Sequence, residues 1–312
     1  MFSATNNTNL HTNISDIESF FVTIYTTGAS FIGVTGNLLI FIATSKYRKN
    51  NSFNLDQITV MFIRHLSIAD LMFTVTAVLP WAVTASMRKW VFGQVVCFVF
   101  GVVPFVAQLA SMVFIIAVAA HRLGRCMAPM SIAWLNQKRA MALIVILWVS
   151  AFAPFILILV SKTPVRFDPT VTYCLSTNFT DLTEGGFKQK MIYLLVWAGF
   201  LTLLSLNIAI LSVARRTTRI SITSIKTVCW ISGVFLVSWC IALVRVVLSY
   251  VHPQAQLLPF LLRLMRYLYI VAAVSNPFIY SLTNVKFKMF IFKLFKKVLF
   301  RQAVPRVQRS AV

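Results

Sequence analysis

The sequence predicts an all-α membrane protein, a bundle of seven membrane-crossing helices followed by an amphipathic helix on the inner leaflet. Three observations carry this. The 312-residue chain is 59% hydrophobic and 12% charged, against about 25% charged residues in a soluble domain. Seven apolar runs recur, at roughly 20–44, 58–82, 93–121, 139–161, 189–214, 226–250 and 258–282, each near the ~20 residues that a helix needs to cross hydrocarbon. The basic residues, 29 Lys and Arg against 7 Asp and Glu, lie mainly between or after these runs, as in cytoplasmic loops.

The net charge of +22 would point to nucleic acid on a soluble chain. Beside apolar runs it suits the anionic inner leaflet instead, so a lipid bilayer and no nucleic acid is expected. No Cys-x-x-Cys pair or His/Cys cluster marks a metal site. No second intramembrane carboxylate and no Gly-x-Ser-x-Gly sequence is present, so the chain does not read as an enzyme.

In chain order, residues 1–19 form a polar tail with glycosylation sequons at Asn6 and Asn13. No Lys or Arg precedes Lys46, and Arg48 and Lys49 follow it, which places the N-terminus outside. Residues 20–283 hold the bundle, with a third sequon at Asn178 in a predicted outer loop. The third run has no formal charge over residues 93–120. The second contains Asp70, the one acid inside any run; an intramembrane acid costs ~3 kcal/mol or more and is a functional candidate by default. Over 284–300, Phe287, Phe290, Ile291, Leu294, Phe295 and Val298 recur at helical spacing with lysines opposite, a membrane-surface helix. A short cytoplasmic tail, 301–312, follows.

Several motifs sit at matching depths in these runs. They are Gly36-Asn37, Leu66-Ser67-Ile68-Ala69-Asp70, Trp90-Val91-Phe92-Gly93 before Cys97, and His121-Arg122-Leu123 with Pro129 beyond it. Trp148, the Phe235 and Trp239 pair, and Asn276-Pro277-Phe278-Ile279-Tyr280 complete the set. In this order the chain resembles the rhodopsin-like G-protein-coupled receptors over nearly its whole length.

The resemblance implies a Cys97–Cys174 disulfide joining the third helix to the second extracellular loop. It implies that His121, Arg122, Leu123, Phe235, Trp239, Asn276, Pro277 and Tyr280 carry activation and coupling to a heterotrimeric G protein. It implies no cofactor beyond a sodium ion at Asp70 with Ser111, in a polar core shared with Asn37 and Asn276. Ala272 and Ala273 replace two of that ion's usual polar neighbours, and the alternative is an ion-free Asp70 hydrogen-bonded to Asn37 and Asn276. His121 stands where the family has an acid, which leaves Arg122 loosely held; raised basal activity is one consequence and poor coupling the other. Ile241 replaces the sixth-helix proline, and the fifth run has none.

The expected ligand pocket lies above Trp239, with Pro104, Phe105, Gln108, Tyr193, Arg245 and Arg266 as candidates. Pro104 stands where amine receptors have an aspartate, and Ile270 where opsins have the retinal lysine, so neither ligand is expected. Arg245 and Arg266 offer a handle for an anion, or else snorkel to headgroups, the reading given to Arg263. The expected ligand is a peptide first and an anionic lipid or small organic acid second, acting at the plasma membrane. The alternatives are a receptor-like partner or decoy with weak coupling and, further off, a transporter.

Overall fold

The computed structural model describes residues 15–46, 56–127, 132, 134–160, 165–169, 172–176, 187–216, 222–252, 258–283, 288–289 and 292. The sequons at Asn6, Asn13 and Asn178, the 301–312 tail and most of the expected surface helix lie outside them.

Seven long helices follow one another: α1 (Asp16–Lys46), α2 (Gln57–Met87), α3 (Gly93–Met127), α4 (Gln137–Val160), α5 (Phe187–Arg216), α6 (Ile222–Val251) and α7 (Leu258–Thr283). Six of them, α1 to α6, are long and apolar enough to cross a membrane. The seventh carries Arg263 and Arg266, which lower its hydropathy, but it packs against α1 and α6 as an integral part of the bundle. Helix α1 begins at Asp16, inside the stretch expected as a polar tail. Helices α5 and α6 contain no proline and run unbroken, as Ile241 led one to expect. Helix α2 holds an irregularity that the hydropathy pattern does not show, a π turn over Thr74–Val78 just before Pro80.

Helix α3 lies in the middle, against α2, α4, α5 and α6. Its side chains Leu109, Met112, Phe114, Ile115 and Val118 are buried in the principal core with Leu66, Leu203, Phe235 and Tyr280. The outer faces of α1, α4 and α5 remain apolar and exposed, as at Phe31, Val149 and Leu201, the surface a bilayer covers. At the end of the bundle where α1 begins, strands β1 (Val165–Asp168) and β2 (Tyr173–Ser176) pair antiparallel, with Phe167 opposite Cys174; this end is called outer below.

Close packing fixes two glycines. A Cβ on Gly36 would stand 2.5 Å from Pro277 Cγ, and one on Gly101 would stand 2.5 Å from Val165 and 3.1 Å from the Cys174 carbonyl. Gly36 thus lets α1 lie directly on the Asn-Pro turn of α7. Gly36→Val is expected to destabilise the bundle by ~1–3 kcal/mol through overpacking. Thermal melting of purified protein checks this, and an unchanged midpoint would show that α1 can shift to absorb the added volume.

Candidate functional site

Three connected regions run from the outer to the inner side. The outermost is a cavity of about 190 Å³ between α2, α3, α5, α6, α7 and the hairpin. Phe73, Trp81, Phe105, Tyr173, Trp239 and Tyr269 give it aromatic walls. Several ties hold the hairpin in place, among them a hydrogen bond from Gln94 Nε2 to the Val165 carbonyl at 2.6 Å. The Cys97–Cys174 disulfide ties β2 to α3. Trp81 Nε1 donates to Thr172 Oγ1 at 2.7 Å, and Tyr173 donates its hydroxyl to the Phe100 carbonyl at 2.5 Å. Burial pushes the Tyr173 hydroxyl well above its usual range, so it stays a protonated donor. Trp90 underpins this corner, with its Nε1 on the Gly93 carbonyl at 2.9 Å and its ring stacked on Phe167 at 5.8 Å.

Two cations line the cavity, and among the described residues no carboxylate does. The Arg266 guanidinium lies 4.4 Å from the Trp81 ring centre and 5.1 Å from that of Tyr173. Such cation–π contact is worth ~2 kcal/mol where water is excluded. Arg245 is 7% exposed. Asp168 on β1 acts electrostatically on Arg266 from outside the lining. Trp239 forms the floor, stacked on Phe235 at 5.7 Å and tilted on Tyr269 at 5.0 Å. Its Nε1 is buried with no hydrogen-bond partner among the described residues.

The second region lies beneath and shares Gln108 with the cavity. Asp70 accepts from Ser111 Oγ at 2.8 Å and from Asn276 Nδ2 at 2.5 Å, which draws α2, α3 and α7 together. Asn37 is not among its partners. The Asn37 amide instead donates to the carbonyls of Gly33 and Ala273, both at 3.0 Å, tying α1 to α7. Both Asp70 oxygens are thus taken by side-chain donors, and Ala272 and Ala273 add no side-chain oxygen.

The third region is the inner end of α3. His121 is 4% exposed and sits between two groups at the start of α2. Its Nδ1 is 3.1 Å from Thr59 Oγ1, and its Nε2 is 3.2 Å from Asp56 Oδ2. A ring proton on Nε2 satisfies both contacts, because Nε2–H donates to Asp56 and the Thr59 hydroxyl donates to Nδ1. Asp56 also caps α2, accepting from the Ile58 N–H at 3.2 Å. The residue before the motif arginine is thus held by a carboxylate supplied by another helix. Arg122 and Leu123 are half-buried beside it, and Arg122 is close enough to Tyr280 for their charges to interact.

Pro104, Phe105, Gln108, Trp239, Arg245 and Arg266 all line the cavity. Tyr193 falls on α5, but its side chain is outside those described. Asp56, Thr59, Trp81, Thr172 and Tyr173 were not foreseen. A helix-start signal marked Asp56, an acid just ahead of an apolar run; nothing local pointed to its second partner. Trp148, expected in α4, donates to His65 Nδ1 at 3.1 Å and meets the Phe114 ring at 5.5 Å, fixing α4 against α2 and α3.

A seven-helix bundle with a cavity under an extracellular-type hairpin, an Asp–Asn–Ser core and an arginine motif below defines a membrane receptor. The sequence pattern of the 7 transmembrane receptor (rhodopsin family) matches residues 36–280. The chain belongs to that family, one of receptors and not of enzymes. It is similar to cysteinyl leukotriene receptor 2 of Homo sapiens, 27% identical over 67% of this chain and 58% of that one. It is also similar to the Gq-coupled rhodopsin of Mizuhopecten yessoensis, 22% identical over 88% and 59%. A shorter match, 30% identical over 38% of this chain and 24% of the relative, is to the alpha-1A adrenergic receptor of Oryzias latipes. The chain spans less than two thirds of the length of these relatives. The crystal structure of squid rhodopsin has the same fold, with a TM-score of 0.75, 19% identity and coverage of 92% of this chain and 87% of that one.

Proposed function

We infer that this protein is a plasma-membrane receptor, N-terminus outside, that transmits occupancy of the outer cavity to a heterotrimeric G protein at the inner face. One observation carries this reading. The cavity floor is Trp239, which stacks on Phe235, and Phe235 borders the Asp70–Ser111–Asn276 core. Ligand contact and the Asn-Pro-Phe-Ile-Tyr segment thus share one packed unit, whose two arrangements a ligand can bias.

A sodium ion at Asp70 would share the carboxylate with the Ser111 and Asn276 donors and would find no side-chain oxygen where Ala272 and Ala273 stand. Asp70 therefore acts as a hydrogen-bonded hub between helices. The peptide ligand ranked first from sequence gives way to a small organic anion, because the cavity is narrow and ringed by aromatic side chains around two arginines.

Agonist-independent G-protein activation in cells, with surface levels matched, tests the coupling. Wild type should exceed empty vector. Arg122→Ala should reduce the signal by about 5-fold or more, the range of ordinary allosteric couplings. Silence of both across the G-protein subtypes would instead support the decoy alternative.

A further inference from the structure

We propose that a second cavity, between the inner ends of α1, α2 and α4, holds the phosphate monoester of a membrane lipid headgroup, with the lipid's chains lying along the exposed face of α4. The site is separate from the outer cavity. It rests on the reading that places this end of the bundle at the cytoplasmic leaflet.

The cavity measures about 250 Å³. It lies where Thr44 of α1, Gln57 and Arg64 of α2, and Gln137, Lys138 and Met141 of α4 come together. Its charge is what the signalling function leaves unused. Arg64 falls inside the second apolar run, six residues before Asp70. It sits two turns into α2, about 10 Å at 1.5 Å per residue. A cation at that depth is costly and marks a functional site by default. Arg64 is half-buried and donates to the Thr44 carbonyl, which ties α2 to α1. A carbonyl carries no formal charge, so the positive charge of Arg64 persists. Lys138, exposed at the start of α4, adds a second cation. Among the described residues no acid lines this cavity. Asp56 is the only acid within residues 40–64 and 119–145, and it already caps α2 and meets His121.

Gln57 and Gln137 bridge α2 and α4 at the rim, Gln137 Nε2 donating to Gln57 Oε1. Side-chain amides place neutral donors beside the two cations. A phosphate monoester carries nearly two negative charges near neutral pH and three strong acceptor oxygens. Two cations with adjoining amides match it better than they match a singly charged phosphodiester.

The walls point to a lipid as the source. Met141 borders the cavity and is exposed, and Val145 and Val149 are exposed at four-residue steps beyond it. Residues so spaced share one helix face, so an apolar strip leads from the cavity along α4 into the bilayer. An acyl chain covers that strip, and a soluble anion leaves it bare. Basic pockets between membrane helices on the cytoplasmic side suit phosphorylated headgroups. The volume exceeds the ~150 Å³ of a cavity that takes benzene, which gives room for one phosphorylated polyol ring.

Purified receptor in detergent is titrated with dioctanoyl phosphatidylinositol 4-phosphate, with dioctanoyl phosphatidylinositol and with the deacylated headgroup, glycerophosphoinositol 4-phosphate. Native mass spectrometry counts the bound molecules, and thermal shift gives the affinities. One 4-phosphate lipid should bind about tenfold tighter than phosphatidylinositol, which has only the phosphodiester. Lys138→Gln should weaken it about fivefold, and Lys138→Arg should restore it. Arg139→Gln is the charge-matched control, because Arg139 stands outside the cavity against Trp134. It should stay within about twofold of wild type. Arg64→Gln should lose at least as much as Lys138→Gln. Should it fail to fold for want of the Thr44 contact, the Lys138 variants still decide the matter.

Equal binding of the two lipids would overturn the proposal. So would equal losses in Arg139→Gln and Lys138→Gln, the mark of diffuse attraction to a basic surface. Deacylated headgroup binding as tightly as the lipid would overturn it too, since the strip on α4 would then contribute nothing. Detergent exposes both ends of the bundle alike and no G protein is present, so these outcomes are independent of topology and of signalling.

Discussion

Cys97→Ala is expected to remove most of the protein from the cell surface. Both cysteines of the bridge are fully buried, packed with Trp90, Val102 and Val165 in a small cluster of their own. The bridge joins residues 77 apart in sequence. Loss of a native disulfide from a small domain costs about 2–5 kcal/mol, and cells clear membrane proteins destabilised on that scale. The consequence extends to the cavity, because Thr172 and Tyr173 are positioned by the same strand that Cys174 anchors. Surface staining against total expression and thermal melting are the measurements. Cys174→Ala should match Cys97→Ala, and the double variant should be no worse than either single one. A Cys97→Ala protein with wild-type surface level and melting would mean that the non-covalent contacts, Trp81–Thr172, Tyr173–Phe100 and Gln94–Val165 among them, suffice to hold the hairpin.

Asp56→Asn is expected to raise agonist-independent signalling severalfold with little loss of folded protein. Asp56 has two roles that this change separates. Asparagine still caps α2 through its side-chain oxygen, but it no longer offers a carboxylate to His121. Losing a charged partner to a buried hydrogen-bonding group weakens the contact by ~1–3 kcal/mol, and His121 adjoins Arg122. Asp56→Ala should add a cap loss of ~1 kcal/mol, visible as a lower melting point on top of the same signalling change. His121→Phe, which keeps ring volume and deletes both polar contacts, should resemble Asp56→Asn in signalling. If basal signalling falls in Asp56→Asn and His121→Phe alike, the contact supports the active arrangement and its assigned direction is reversed.

The bundle was readable because membrane crossing imposes a length and a hydropathy that any window of sequence reveals. Motifs placed within a single helix were readable too: Trp90 ahead of Cys97, Phe235 a turn before Trp239, and Asn276 next to Pro277. What escaped depends on two distant segments meeting. Nothing near His121 in sequence points to Asp56, which lies 65 positions earlier at the start of another helix. From the sequence only the missing local acid was visible, and not the carboxylate that meets His121. The contact of Arg266 with Trp81 and Tyr173 likewise joins three separate elements, so sequence offered the charge but not its neighbours. Asn37 and Asp70 were placed in one polar core by the resemblance to the receptor family. Their hydrogen bonds diverge because a backbone carbonyl on α7 competes for the Asn37 amide.

The π turn in α2 separates two halves of one helix that answer to different tasks. Such a turn holds one residue more than an α turn, and each α-helical residue advances by about 100°. Everything outward of Val78, Trp81 included, is therefore rotated relative to Asp70 by roughly one residue's step. Losing one residue there would swing Trp81 off the cavity and leave the Asp70 contacts in register. Helix α2 thus works as two keys cut on one shank. The outer key can be recut for a new ligand by a single insertion or deletion, while the inner key keeps turning the same lock.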